Sequence, residues 1–172
     1  DLVLNVTGTL DNTGKLLATH DLSVNAGTSA LVMNNAHTGV VQAGNALMVN
    51  GSNARFDVQS GTLLGNTVDV TVSRLNNSGT LQSNAAMNLA MGNALTNSGT
   101  VLAKTNLVSN SGSLSNSGTL QSDRAGTITT SGALSNTGLM IASNAAGDTG
   151  TIHAGTLSNT GTGVIQSAQS LA

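Results

Sequence analysis

Residues 75–94 read L-N-N-S-G-T-L-Q-S-N-A-A-M-N-L-A-M-G-N-A, and this stretch decides the fold. It opens on one copy of a five-residue motif, L-x-N-[S/T]-G. The motif occurs six times, at Leu10–Gly14, Leu75–Gly79, Leu95–Gly99, Leu114–Gly118, Leu134–Gly138 and Leu157–Gly161. From Gly79 onward the closing glycines lie 20, 19, 20 and 23 residues apart. A fixed short period marks stacked-coil architectures, in which each repeat covers the next. After the glycine, Leu81 and Ser83 alternate with polar residues, and Met87, Leu89 and Met91 do so again. That is the two-residue period of a half-buried strand. The next repeats continue it through Val101, Ala103, Leu107 and Ser109, then Leu120, Ser122 and Ile128. Each repeat offers short strands of about 4 to 6 residues. They are too little to fold alone, but stacked on neighbours they can bury an inward row and pair their backbones above and below.

The motif positions divide the work. Leu supplies the inner row. Gly stands where the chain turns and is expected to take positive φ there. Asn bonds local backbone groups, and identical Asn side chains in register can bond one another along a stack. Asn12, Asn77, Asn97, Asn116, Asn136 and Asn159 are therefore expected at equivalent corners, joined in a ladder. A Gly or Asn also precedes the Leu by two in most copies, as at Gly8, Asn93, Gly112, Gly132 and Gly155.

Between Gly14 and Leu75 the full motif is missing. Weaker marks at Thr38-Gly39-Val40 and Ser60-Gly61-Thr62-Leu63 divide the gap into spacings of 25, 22 and 18 residues, which puts His37 and Gln59 in the Asn slot. The chain is thus expected to form one segment over 1–172, with regular repeats at 1–14 and 75–172 and degenerate ones at 15–74. The expected fold is all-β, a right-handed parallel β-helix (β-solenoid) of about eight coils of roughly 20 residues, three-sided in section. At about 4.8 Å per layer it would be about 40 Å long. Asp1-Leu2-Val3-Leu4 is already a strand pattern and the last repeat stops at Ala172, so a piece of a longer array is expected, exposing strand edges that invite end-to-end association.

Composition agrees with a fold built on shape. Only 7% of the 172 residues are charged, against about 25% in ordinary soluble domains. The net charge is −2, and 38% of residues are apolar. Disorder needs low hydrophobicity with high net charge, and this chain has neither. Pro, Cys, Trp, Tyr and Glu are absent, and Phe56 is the single aromatic residue. Without Cys there is no disulfide framework and no thiolate metal site. No apolar run approaches the roughly 18 residues that a spanning helix needs, so no membrane insertion is expected.

Catalytic groups are scarce. The histidines are His20, His37 and His153, and His20-Asp21 is an adjacent pair. A triad needs nucleophile, base and carboxylate within mutual hydrogen-bond reach, and no G-x-S-x-G turn is present. Asp57 and Asp69 could approach across coils as a carboxylate pair, but no Tyr or Trp could stack a sugar. Ala146-Gly147-Asp148-Thr149-Gly150 is a fragment of calcium-roll chemistry and reads as a widened turn. The basic residues Lys15, Arg55, Arg74, Lys104 and Arg124 are too dispersed for nucleic acid, although Lys104 and Arg124, twenty apart, could stack. Thr127-Ile128-Thr129 hints at the flat Thr arrays of ice-binding solenoids, but one coil earlier the matching place holds Leu107-Val108-Ser109. Asn5, Asn50 and Asn76 head glycosylation tripeptides. No enzyme activity, cofactor or metal is expected.

The extended pattern L-x-N-[S/T]-G-x-[L/V/I]-x-[A/S] reads Leu75-Asn76-Asn77-Ser78-Gly79-Thr80-Leu81-Gln82-Ser83 and Leu114-Ser115-Asn116-Ser117-Gly118-Thr119-Leu120-Gln121-Ser122. On these residues the chain resembles the filamentous haemagglutinin repeat family, the exoproteins of Gram-negative bacteria that include haemagglutinin-type adhesins and stalks of contact-dependent inhibition effectors. The resemblance covers 75–172 well, 1–20 fairly and 21–74 poorly. It implies a right-handed β-helix, export through an outer-membrane two-partner transporter, and a secreted or cell-surface location. The expected partners are flanking repeats of the same chain and a host or bacterial cell-surface receptor. The primary expectation is a structural shaft. The alternative is a receptor- or glycan-binding module in the irregular 21–74 region, where His37, Arg55 and Phe56 are the candidate contacts.

Overall fold

The structure, a computed structural model, describes residues 1–168 and the backbone of residues 170–171. It is all strand, with no helix among the described residues. In the first coil the chain runs through β1 (Leu2–Asn5), β2 (Thr9–Asn12) and β3 (Lys15–Ala18), and in the second through β4 (Leu22–Gly27), β5 (Val32–Ala36) and β6 (Val40–Ala43). From the third coil onward the first two strands merge into one long strand with a register break in its middle. These are β7 (Ala46–Gln59), β9 (Thr67–Asn77), β11 (Met87–Asn97), β13 (Leu107–Asn116), β15 (Gly126–Asn136) and β17 (Thr149–Asn159). Each is followed by a short strand: β8 (Thr62–Gly65), β10 (Thr80–Ser83), β12 (Thr100–Ala103), β14 (Thr119–Ser122), β16 (Leu139–Ser143) and β18 (Val164–Ser167).

The named strands pair in parallel with their counterparts one coil away. The result is a parallel β-solenoid of eight coils, with β19 (Ser170–Leu171) laid against β17. Each coil has a first face ending near the register break, a second face leading to the motif corner, and a third face after the glycine.

The register shows what each motif position does. The Leu column runs Leu10, Met33, Phe56, Leu75, Leu95, Leu114, Leu134, Leu157. Met33, Phe56, Leu75, Leu95, Leu114 and Leu134 are buried in one apolar core, together with inward rows from the other two faces such as Leu47, Val70 and Leu89, or Leu63, Leu81 and Val101. The Asn column runs Asn12, Asn35, Val58, Asn77, Asn97, Asn116, Asn136, Asn159. Asn35 and Val58, not His37 and Gln59, therefore occupy the corner slot of the irregular coils.

Insertions cause that difference. In the regular coils the glycine follows the Asn by two residues. In the second coil two more residues intervene between Asn35 and Gly39, and one more between Val58 and Gly61. The added residues turn through the left-handed region at His37 (φ 54°) and Ser60 (φ 61°). The last coil has the same two-residue addition. There Gly161 takes φ 62°, and Gly163 stands against Gly138 in the stack. Gly161 thus belongs to the turn, not to the glycine column.

The motif glycines proper do not have positive φ. Their role is close approach. A Cβ on Gly79, Gly99, Gly118 or Gly138 would be driven into the carbonyl oxygen of the glycine one coil below. That carbonyl accepts from the residue after the next glycine, as in Thr100 N to Gly79 O and Thr119 N to Gly99 O, both 2.8 Å. Glycine is required because two backbones stack there with no room for a side chain.

Candidate functional site

The most ordered polar feature is the corner ladder. Asn77 Nδ2 donates to Asn97 Oδ1 (2.8 Å), Asn97 to Asn116 (2.7 Å), Asn116 to Asn136 (2.8 Å) and Asn136 to Asn159 (2.8 Å). Asn12 donates to Asn35 in the same way at 2.8 Å. The second amide hydrogen goes to a third-face carbonyl of the next coil, as in Asn77 to Thr100 O (3.0 Å) and Asn97 to Thr119 O (2.9 Å). The corner backbone joins in: Asn77 O accepts from both Ser98 N (2.8 Å) and Gly99 N (3.1 Å). Each amide therefore ties one coil to the next at two points, and buried polar groups of this kind must be satisfied to be tolerated. At Val58 the ladder breaks. Asn35 Nδ2 turns to Gly39 O and Thr62 O, while Asn77 Oδ1 is buried without a donor.

The candidate contact residues of the irregular region do not act together. His37 is exposed at its turn, and its backbone N–H donates to Gln59 O at 2.9 Å. Phe56 is fully buried in the Leu column, so it is a core residue and cannot touch a receptor. Arg55 points outward on the second face, its Nε 2.9 Å from Asp57 Oδ2. No protruding loop gathers the three.

Arg55 has a neighbour that the sequence reading left unassigned. Arg74 stands beside it in register on the adjacent coil. Asp57 is buried beneath them, and also accepts from Asn76 Nδ2 at 2.6 Å. Beyond Arg74 the same columns shrink to Ala94 and Thr96, then Ser113 and Ser115. The two arginines therefore form the wall of an open groove. One part, about 430 Å³, is lined by Asn53, Arg55, Arg74, Asn76, Ala94 and Thr96 among others. A smaller part, about 180 Å³, continues past Arg55, Asn76 and Thr96 toward Ser98. A per-coil register, once corrected for the inserted residues, would have revealed the arginine pair.

Other imagined chemistry dissolves on inspection. Asp57 lies on the second face, whereas Asp69 lies on the first between Met48 and Asn88, so they are not a pair. Asp21 Oδ1 accepts from Ala46 N (3.0 Å) and Asn45 Nδ2 (2.8 Å). Those bonds, the backbone one foremost, hold its carboxyl below the ordinary 3.8 and commit it to a corner. His20 Nδ1 lies 3.5 Å from Thr19 Oγ1. Lys104 faces Asp123 (3.5 Å) and Arg124 faces Asp148 (2.7 Å), so these cations do not stack on each other. Thr127 pairs with Val108 and Thr151, and Thr129 with Asn110 and His153, so that Thr pair does not recur from coil to coil. No group of three or more His, Cys, Asp or Glu side chains converges among the described residues.

A haemagglutinin repeat family profile matches residues 1–28, 17–67, 63–138 and 142–172, the irregular coils included. No curated protein and no solved structure matches the chain.

Proposed function

The chain belongs to the haemagglutinin repeat family, and from that membership we propose that it is a non-catalytic shaft segment of a large secreted exoprotein. That exoprotein is displayed at the surface of a Gram-negative bacterium and serves as an adhesin or as a contact-dependent inhibition effector. The segment holds a functional end away from the cell. One observation carries the reading: the Leu column stays in parallel register through all eight coils, and the register break in the long strands recurs at the same place from coil to coil. Such a stack transmits position along its axis.

Export through an outer-membrane two-partner transporter suits the same architecture. Each coil contacts mainly its neighbours, so folding can propagate coil by coil as the chain emerges. The absence of Cys removes any need for an oxidising step before export.

The test uses the parent exoprotein. Deleting residues 100–118 joins Gly99 to Thr119, which stands in the register position of Thr100. The shortened protein should still reach the surface and bind its target, with its tip lowered by about 4.8 Å per coil removed. Removing several coils makes this visible by electron microscopy. Loss of target binding by correctly folded, surface-displayed deletions would refute the shaft role.

A further inference from the structure

We propose that two copies of this chain pair antiparallel through their third faces, each laying its outward leucines on the glutamines of the other. This stands independently of the shaft role.

The three faces differ in what they turn outward. On the first face the large aliphatics are Val3, Met48 and Val108, and on the second Val32 alone. The second face also carries Asp11, Arg55, Asp57 and Arg74. The third face presents two outward columns. One runs Lys15, Val40, Thr62, Thr80, Thr100, Thr119, Leu139, Val164, and the other Leu17, Gln42, Leu64, Gln82, Leu102, Gln121, Ile141, Gln166. Beyond Lys15 in the first coil, neither column holds a charge. Interface cores are depleted of charge in the same way.

The second of these columns alternates strictly, with an aliphatic residue in every odd coil and Gln in every even one. Aliphatic knobs therefore recur at about 9.6 Å, twice the layer spacing. Leu17, Leu64 and Leu102 are exposed or half-buried, and Ile141 is the lowest of the knobs at 7% exposed. Between them glutamines lean aside to the corner that follows. Gln82 Nε2 donates to Asn84 Oδ1 at 3.4 Å, and Gln121 Nε2 to Asp123 Oδ1. The face thus alternates high and low ground.

Such a face is complementary to itself. A two-fold axis along the strands sets the first coil of one copy against the eighth of the other, so an odd coil always meets an even one. Leu64 then lies over Gln121 of the second copy, Leu102 over Gln82, and Thr62 over Thr119. One patch serves both copies, as an isologous pair requires. A slip of one coil would set Leu on Leu, so the alternation also fixes register. At about 10 Å between sheets the side chains can interdigitate. The face measures about 13 Å by 38 Å, so a pair would bury about 1,000 Å², the lower limit for a specific interface. A lipid surface fits less well, since interfacial binding draws on Lys, Arg and aromatic residues beside the apolar ones, and here Lys15 stands alone.

The test is sedimentation equilibrium on the folded chain. A monomer–dimer equilibrium is expected, half-dimerised at about 0.1–1 mM for so small an interface. Leu64→Lys should weaken it about tenfold or more, because it buries an unpaired charge, and so should Gln121→Glu. Both positions face outward, and thermal melts check that each variant folds. The two substitutions in one chain should restore dimerisation to within about threefold of the parent, because the new charges lie three coils apart within a chain, about 14 Å, and oppose each other across the antiparallel pair. Val108→Lys, on the first face, should change nothing. A chain that stays monomeric to about 1 mM would overturn the proposal. So would dimers that Leu64→Lys leaves intact, as end-to-end stacking would be, or a double substitution that fails to restore them, as in parallel pairing. Phosphatidylcholine vesicles that carry down the chain while no dimer forms would overturn it in favour of a lipid surface.

Discussion

Replacing Asn97 with Ala tests whether the corner ladder holds coils together. The change removes three bonds of 2.7–2.9 Å: Asn77 Nδ2 to Asn97 Oδ1, and Asn97 Nδ2 to Asn116 Oδ1 and to Thr119 O. Asn77 keeps its bond to Thr100 O, but Asn116 Oδ1 loses its donor at a corner where Asn116 is only 1% exposed. A buried hydrogen bond contributes about 1 kcal/mol net, and an orphaned buried acceptor costs about 1–3 kcal/mol. These overlap, so the expected loss is about 3 kcal/mol. Repeat arrays need not unfold as one unit. Guanidinium unfolding should therefore be paired with native-state hydrogen exchange. Protection should fall on the order of 100-fold in coils five and six, and far less in coils one and two. The comparison is Asn110→Ala, an exposed Asn on the first face of the next coil, which should stay within about 0.5 kcal/mol of the parent. If Asn97→Ala matches Asn110→Ala, or if protection falls evenly along the stack, the ladder is not what joins the coils.

Four further outcomes are expected. Val58→Asn would restore a donor for Asn77 Oδ1 and an acceptor for Asn35, so it should cost no more than about 1 kcal/mol in chemical unfolding, whereas Val70→Asn in the apolar first-face column should cost about 3 kcal/mol or more. Gly99→Ala should lower the melting temperature markedly, because the new Cβ would meet backbone of the coil below, while Gly92→Ala, which meets nothing within 4 Å, should be neutral or slightly stabilising. Ser109 lies between Leu89 and Ile128 with its buried hydroxyl unpartnered; Ser109→Val should therefore stabilise the fold by about 1 kcal/mol, read from the denaturation midpoint. Asp21 has a lowered folded pKa, so the support of its carboxylate is present above the ordinary value of 3.8 and lost as pH falls through the folded value; thermal melts should show the wild type ahead of Asp21→Asn at pH 7 with the gap closing as the pH is taken below 3.8, and a constant gap would refute the assignment.

What the sequence disclosed and what it hid follow from one asymmetry. Inner and corner positions repeat because every coil meets the same environment, so period and alternation expose them directly. Leu75, Asn77 and Gly79 could be read position by position. The irregular coils obey the same rules, yet their Asn–Gly spacing varies. Counting back from Gly39 and Gly61 puts His37 and Gln59 at the corner only if the spacing is fixed. Inserted residues that turn through positive φ shift the count without disturbing the register. Phe56 misleads for a related reason. A lone aromatic residue in a degenerate stretch looks like a contact, but it is a larger occupant of the Leu column. The motif places the glycine column correctly except in the last coil, where Gly163 and not Gly161 fills it, and the reason for glycine there is close approach and not positive φ, since contact between coils is invisible in a linear pattern. Arg74 is hidden in the linear pattern because Arg55 is its register neighbour, not its sequence neighbour.

The same asymmetry bears on how such a rod could acquire specificity. Inward columns are tightly constrained: a corner Asn is fully bonded only between two others, as the unpaired Asn77 Oδ1 beside Val58 shows, and a motif glycine leaves no space for a Cβ. Outward columns carry no such demand. Along one second-face column the residues are Asp11, Asn34, Asp57, Asn76, Thr96, Ser115, Ser135 and Ser158, all compatible with the same backbone. Exposed substitutions away from caps and buried networks usually change stability by less than about 0.5 kcal/mol. Each coil can therefore present its own outward residues at about 4.8 Å intervals without altering its neighbours. Arg55 and Arg74 are an instance, two adjacent coils presenting one charge pattern on an otherwise charge-poor shaft. Repetition of such a pattern on further coils would raise avidity through the number of sites, with each site remaining weak. A shaft and a set of weak contacts are thus compatible uses of one stack: the inner columns fix the shape, and the outer columns are free to vary.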